Sequence, residues 1–361
     1  MSGLDGVVVA DTATSRIDGE LGELVIAGWP VERLAATHDL AGVAALLWTG
    51  DLSRRDEVAR ALGAGRVAAH ALLPSLGAAL EAPDAMDALR AATGHLTPPA
   101  AEDPAGLAQV AAAPGVFLAA WLRRRAGEAP LAPDPDADHA ADVVRLVRGA
   151  PDAARARALD AYWVTVVDHG FNASTFAARV VASTRSDAVS AVVAALGALK
   201  GPLHGGAPGP VLDMLDAVGR ADPDLARRWV EGELAAGRRV MGMGHRVYRS
   251  RDPRARVLEA AARELGAAAP GARERLQLAA CVEAAAEAVL AERYPGRPLK
   301  ANVEFYTATL LEAIGLPREA FSATFACGRV VGWLAHVLEE RAVGRLIRPR
   351  ARYVGPEPAT T

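Results

Sequence analysis

Residues 242–254 read Gly-Met-Gly-His-Arg-Val-Tyr-Arg-Ser-Arg-Asp-Pro-Arg. Glycines before His245 let the backbone approach a ligand with no side chain in the way. Arg246, Arg249 and Arg251 follow, and Asp252-Pro253 has the form of a helix start, with Asp at the N-cap and Pro in the first turn. Arg254 then falls beside the loop. An imidazole, a glycine loop and several guanidiniums so close together suit a pocket for a small polyanion. The same string also describes a solvated basic loop beside a structural histidine, and a single motif does not choose between them.

Other segments carry matching chemistry. Asp168-His169-Gly170-Phe171-Asn172-Ala173-Ser174-Thr175 follows an apolar run, Lys200-Gly201-Pro202-Leu203-His204-Gly205-Gly206-Ala207 is glycine-rich, and Asn302-Val303-Glu304-Phe305-Tyr306 has a helix-start pattern. Arg329 lies in the last apolar stretch and Arg348 in a basic tail. His169, His204, His245 and Glu304 show no pair at metal-ligand spacing on one helix, so no metal is expected.

In their order and spacing, Gly-Pro-Leu-His-Gly-Gly, Gly-Met-Gly-His-Arg-Val-Tyr with Asp-Pro-Arg, Asn-Val-Glu-Phe-Tyr, and Gly-Trp-Leu-Ala-His-Val-Leu-Glu with Arg-Pro-Arg resemble the citrate synthase family from Asp168 onward. The resemblance is weaker before it, in Gly-Leu-Asp-Gly-Val and Ala-Leu-Leu-Trp. It implies condensation of acetyl-CoA with oxaloacetate to citrate and CoA, the entry step of the tricarboxylic acid cycle, with no cofactor beyond the acyl-CoA substrate.

That chemistry asks for particular groups. A thioester methyl is a very weak carbon acid, so a carboxylate base works only if the enolate is stabilised as it forms. The resemblance makes Glu304 the base and His204 the donor to the thioester oxygen, acting as a neutral imidazole held so by burial or a helix N-terminus. His245 would hydrogen-bond the ketone oxygen of oxaloacetate. Arg254, Arg329 and Arg348 match the family's three carboxylate partners. Arg348 would come from the neighbouring subunit of a homodimer. His169 and Asn172 match positions lining the oxaloacetate site, and Arg249 a position that meets the CoA phosphates. His336 reads as structural. Two departures stand out. The family's usual base is Asp, although members of the type called citrate synthase 2 carry Glu, and Gly170 replaces a carboxylate that often follows Asp-His. Two alternatives stand beside this reading: a 2-methylcitrate synthase using propionyl-CoA, one methylene larger, and a catalytically weak dicarboxylate- or CoA-binding regulatory homologue.

The elements that must position these groups are mostly helices. Residues 6–28 alternate around Asp18-Gly19 and Gly22 as a short β-hairpin. From Pro30 on, Ala/Leu-rich helical periodicity is punctuated by Gly and Pro. Helices are expected over His139–Arg148, Val181–Leu199, Asp224–Ala236, Pro253–Leu265, Arg273–Arg293 and Ser322–Arg341, with one from Asn302 to Gly315, and Ala153–Val167 is an apolar run leading into Asp168-His169. Pro104–Leu122 reads as a core helix broken at Pro114-Gly115, not a membrane span. Gly63-Ala64-Gly65-Arg66-Val67-Ala68 fits a dinucleotide fingerprint but follows a helical pattern instead of a strand, so it carries no nucleotide site.

The 361 residues are 51% hydrophobic and 23% charged, with a net charge of −3 and 5% aromatics. That composition describes a globular protein with no case for nucleic acid or an anionic membrane as partner. Cys281 and Cys327 sit in apolar stretches and read as buried thiols of a reducing compartment, which with the absence of a signal pattern gives a cytoplasmic expectation. The expected fold is all-α and citrate synthase-like with an N-terminal β-hairpin, dimeric. A large domain spans 1–206 and 316–361. A small domain, 207–315, carries His245, Arg254 and Glu304. No extra N-terminal domain resembling that of NADH-regulated members precedes it, so no NADH inhibition is expected.

Overall fold

The computed structural model describes residues 4, 6–204, 208–244, 248–268, 270–297 and 299–356. His245 and Arg246 of the opening motif, and Gly205–Ala207 after His204, lie outside them.

The chain opens on the expected hairpin. β1 (Ser15–Asp18) pairs antiparallel with β2 (Glu23–Ile26), Ser15 opposite Ile26 and Asp18 opposite Glu23. A short β3 (Trp29–Pro30), not anticipated, adds a third strand beside β2. Helices then follow to the end: α1 (Val31–Thr37), α2 (Leu40–Thr49), α3 (Arg55–Ala71), α4 (Ala85–Thr93), α5 (Pro104–Arg125), α6 (His139–Arg148), α7 (Ala153–Val166), α8 (Ala173–Ser183), α9 (Ala188–Leu199), α10 (Pro208–Val218), α11 (Pro223–Ala235), α12 (Pro253–Ala268), α13 (Pro270–Arg293), α14 (Val303–Ile314) and α15 (Phe321–Val343).

Local chemistry explains most boundaries. Asp39, Asp84, Asp103, Asp152, Asp187 and Asp222 each accept a backbone N–H as N-caps, satisfying donors that helix starts leave open. Gly50, Gly149, Gly315 and Gly344 take positive φ just past helix ends, the conformation glycine adopts without strain. Two expectations are corrected. Val181–Leu199 is not one helix: Arg185 at φ 64° and the Asp187 cap separate α8 from α9. Pro114 does not break α5, which runs through it. Burial of the surrounding turn outweighs the one hydrogen bond that proline removes, and Gly115 there lies close to Val143.

α5 and α15 are long and apolar enough to cross a membrane, yet most of each is buried within the fold. They are core helices. Gly63 and Gly65, the false dinucleotide signal, lie inside α3; a Cβ on them would meet the Pro135 carbonyl oxygen at 2.0 Å and the Ala108 carbonyl oxygen at 2.8 Å. Their role is close packing. Cys327 is buried as expected, whereas Cys281 is only half-buried because it sits off the inward stripe of α13. α15 is the axis of the core, packing on α2, α5, α7, α8 and α9, with Trp163 and Trp333 fully buried around it. α10–α14 pack largely on one another and meet the rest through α1, α7, α15, β2 and the Arg318–Ala320 turn.

Candidate active site

Glycines decide where α7 ends. A Cβ on Gly328 would lie 2.6 Å from the Trp163 ring, and one on Gly332 would lie 2.0 Å from the Val167 carbonyl oxygen. Four residues apart, they share one face of α15, and α7 settles into that face. Arg329 sits beside them, 2% exposed, with its Nε donating to the Val166 carbonyl oxygen at 2.5 Å and its guanidinium 4.5 Å from the centre of the Phe325 ring. Among the described residues no carboxylate lies at ion-pair distance from it. Burial pulls its pKa down to about 10, against the opposing pull of Asp168. An isolated buried cation is costly.

Asp168 follows directly. It is fully buried and accepts from His336 Nε2 at 3.1 Å and from the Ser15 hydroxyl at 2.5 Å. Arg179 Nη1 lies 3.1 Å from His336 Nδ1, and Glu339 Oε2 lies 3.5 Å from the same nitrogen. Against burial, Asp168 and Glu339 raise the His336 pKa to about 8, and the ring's Nε2–H faces Asp168. His169 is half-exposed, and its Nε2 lies 3.1 Å from the Tyr248 hydroxyl.

Asn172 is the N-cap of α8. Its Oδ1 accepts from Thr175 N at 3.1 Å and lies 2.8 Å from the Ser174 hydroxyl oxygen, and its Nδ2 donates to the Gly170 carbonyl. The sequence places Asn172 against substrate; in the structure its amide holds the helix start and Ser174. Ser174 in turn sets His204. The Ser174 backbone N–H donates to His204 Nε2 at 3.3 Å, and its hydroxyl, which accepts from Trp333 Nε1 at 3.2 Å, lies 2.8 Å from the same nitrogen. A nitrogen that accepts an amide N–H bears no proton, so the neutral ring carries its hydrogen on Nδ1. Burial, then the charge of Arg329, lowers the His204 pKa to about 4, and the positive end of α8 acts in the same sense.

The second half of the site is built on Asp252, which is 1% exposed. Its carboxylate caps α12 through Arg254 N at 3.0 Å and pairs with Arg254 Nε and Nη2 at 3.0 and 2.8 Å. It also accepts from Val303 N at 3.1 Å, at the first turn of α14. One buried carboxylate thus joins two helix starts and a buried guanidinium, which it keeps firmly charged. Asp252 was legible only as a cap. Tyr248, 2% exposed, carries Arg254 5.9 Å from its ring centre.

The glycines before His245 are needed by the backbone itself and by close packing on Phe305 and Leu299. Gly242 and Gly244 take φ of 74° and 80°. Met243 forms a β-bridge with Ala301, Gly244 N donates to the Lys300 carbonyl, and Asn302 Nδ2 donates to the Gly244 carbonyl at 2.8 Å. Asn302 also caps α14 through Glu304 N. The segment leading to His245 is therefore tied to the residue two before Glu304.

Glu304 is half-buried. Burial, with Asp252 adding to it, pushes its pKa up to about 7 against the downward pull of Arg254 and Arg329. Glu304, Arg254, Arg329 and His204 thus lie within electrostatic reach through Arg329. Arg249 is exposed nearby, with its backbone N–H on the Gly19 carbonyl at 2.8 Å. Arg251 is not open to a polyanion, since Glu259 and Glu283 each pair with it at 2.8 Å. Arg348 is exposed in the tail after α15, next to Ile347, whose N–H donates to the Ser183 hydroxyl. Among the described residues no cluster of metal-ligating side chains occurs.

A family model described as "Citrate synthase, C-terminal domain" matches residues 3–350. A putative citrate synthase 2 of Mycobacterium tuberculosis is 52% identical over 211 residues, 58% of this chain and 54% of that protein, so the alignment spans about half of that relative. The citrate synthase of Haloferax volcanii is 38% identical over 98% of this chain and 95% of its own length. A 2-methylcitrate synthase of Mycobacterium tuberculosis is 35% identical over 98% and 90%. Among solved structures, the ternary complex of Thermoplasma acidophilum citrate synthase with carboxymethyl coenzyme A and oxaloacetate superposes with a TM-score of 0.85 at 27% identity, covering 99% of this chain and 96% of that one. Motif order, helical architecture, family match and relatives aligned almost end to end agree, and the chain belongs to the citrate synthase family.

Proposed function

We propose that this protein condenses acetyl-CoA with oxaloacetate, releasing citrate and CoA. The observation that carries the reading is Arg329, a buried guanidinium with no ion-pair partner among the described residues, beside a carboxyl held near neutrality and an imidazole held neutral. Such a cation is satisfied by an anionic ligand, and a planar carboxylate suits its two Nη groups.

Glu304 removes a proton from the thioester methyl, and His204 Nδ1–H donates to the thioester oxygen as negative charge gathers there. The enol carbon attacks the ketone carbon of oxaloacetate, whose oxygen takes a proton from His245. Water then cleaves the citryl-CoA thioester. Arg254 and Arg329 hold the substrate carboxylates, His169 lines their site, and Arg249 meets the CoA phosphates. Arg348 joins from a second copy in a homodimer. That assembly is supported by exposed apolar residues in the N-terminal segment (Val7, Val8, Val9) and in the tail around Arg348 (Leu346, Tyr353, Val354). Residues 207–315 act as a small domain closing on the remainder to exclude water, and the close packing of α10–α14 supports that division. A cytoplasmic location fits the two free thiols.

Purified protein should release CoA thiol only when oxaloacetate and acetyl-CoA are both present. Glu304→Gln should abolish turnover while sparing oxaloacetate binding, and unchanged turnover excludes Glu304 as base. The likeness to a 2-methylcitrate synthase sustains a second reading. The ratio of kcat/KM for acetyl-CoA and propionyl-CoA decides it.

A further inference from the structure

The N-terminal hairpin touches both halves of the site, and the mechanism assigns it no task. At one end the Ser15 hydroxyl donates to Asp168 Oδ2 at 2.5 Å and accepts from Gly170 N at 3.0 Å. It therefore clasps both neighbours of His169. Gly170 has φ 61°, and a Cβ there would lie 3.1 Å from Ile17 Cδ1. The absence of a carboxylate after Asp-His thus has a local cause: the hairpin occupies that space, in a backbone conformation that favours glycine. Below Ser15, Thr12 Oγ1 and Ala13 N bind the Glu339 carboxylate at 2.8 and 2.7 Å, anchoring the hairpin to α15.

At the other end the hairpin turn meets the loop after Tyr248. Arg249 N donates to the Gly19 carbonyl at 2.8 Å. Gly22, at φ 69°, leaves no space on its Cα: a Cβ would lie 2.1 Å from Ser250 Oγ and 3.3 Å from the Arg251 carbonyl oxygen. His169 and Tyr248, bonded at 3.1 Å, are therefore each backed by one end of the same two-stranded unit. Tyr248 in turn lies under Arg254.

We propose that the hairpin is a clamp for the 2-oxo-acid subsite, with Ser15 as the positioning residue that fixes His169 against the Tyr248–Arg254 segment. The proposal rests on the citrate synthase reading above. Ser15 touches no substrate. It acts by holding the Asp168–Gly170 turn, and a small misplacement of a binding group is enough to weaken a finely set site.

The test uses the full-length protein, Ser15→Ala, Ser15→Thr and Gly22→Ala. Oxaloacetate affinity is read by calorimetry without acyl-CoA, KM and kcat by CoA thiol release, and Tm by circular dichroism. Ser15→Ala should weaken oxaloacetate binding and raise its KM about tenfold, the scale of one hydrogen bond to a charged group, with the KM for acetyl-CoA changed less than about twofold. Ser15→Thr, which keeps the hydroxyl, should restore affinity. Gly22→Ala, pushing on the same pair from the opposite end, should raise the same constants. If wild-type protein neither binds oxaloacetate nor releases CoA, the citrate synthase reading fails and the clamp with it. If wild type is active and Ser15→Ala matches it in oxaloacetate Kd and KM, the clamp alone is overturned. The clamp is likewise overturned if Ser15→Ala and Ser15→Thr both lower Tm and kcat without singling out oxaloacetate, since that is a structural role only.

Discussion

Glu304 should make the protein less stable as the pH rises towards neutrality, and Glu304→Gln should remove that dependence. An ordinary glutamate titrates near 4.5, whereas burial, with Asp252 adding to it and Arg254 and Arg329 opposing it, holds this one at about 7. Between those two values the native state keeps a proton that the unfolded chain has released. Unfolding then sheds a proton, so stability falls with increasing pH across that window and is constant on either side. At about 1.4 kcal/mol per pH unit the loss amounts to about 3 kcal/mol. A glutamine side chain is never ionised, so Glu304→Gln should match wild type in stability near pH 4.5 and exceed it by up to about 3 kcal/mol at pH 8. Urea unfolding of both proteins, without substrates and at one protein concentration, at pH 5, 6, 7 and 8 measures the difference. A gap that stays constant with pH, or that narrows as pH rises, would refute the claim that the fold holds this carboxyl against its ionisation. The energy stored in the free enzyme is what a base of this kind needs: its carboxylate regains stability by taking a proton from carbon.

Other substitutions test the supports of the site. Asp252→Asn removes the carboxylate charge that pairs with buried Arg254 and should lower stability by about 3–5 kcal/mol in urea unfolding; a loss below about 1 kcal/mol would show that the pair is not needed. Ser174→Ala takes away the acceptor of buried Trp333 Nε1–H and should cost about 1–3 kcal/mol. The backbone N–H on His204 Nε2 remains, so kcat should keep its pH dependence, and a new acid limb near pH 6 would contradict the tautomer assigned to His204. Gly332→Ala would drive a Cβ into the Val167 carbonyl at 2.0 Å and should cost at least about 1–3 kcal/mol, with oxaloacetate affinity falling alongside because Arg329 and Asp168 share that contact.

Composition, helical periodicity, capping residues and motif spacing were enough to locate the helices and the chemical residues. Asn302 reads as a cap and is one, and Asp252-Pro253 reads as a helix start and is one, because such signals act within a few residues. The break between α8 and α9 is marked by the polar run Ser183-Thr184-Arg185-Ser186-Asp187, whose Asp is an N-cap, but the small apolar residues on either side give the stretch the look of one helix. Pro114 points the wrong way in the other direction, since burial overrides a local preference. The Glu at position 304, the arginine at 329 and the histidines at 169 and 204 were likewise visible as residue types. Tertiary structure alone decided what each of them is. Only packing through Gly328 and Gly332 strands Arg329 without a counter-charge among the described residues. Only the start of α8 fixes the proton on His204 Nδ1. Only Asp252, shared between α12 and α14, brings Arg254 beside Glu304. Charge state and tautomer depend on what surrounds a group in space, and those surroundings come from segments far apart in the chain, where no spacing rule reaches.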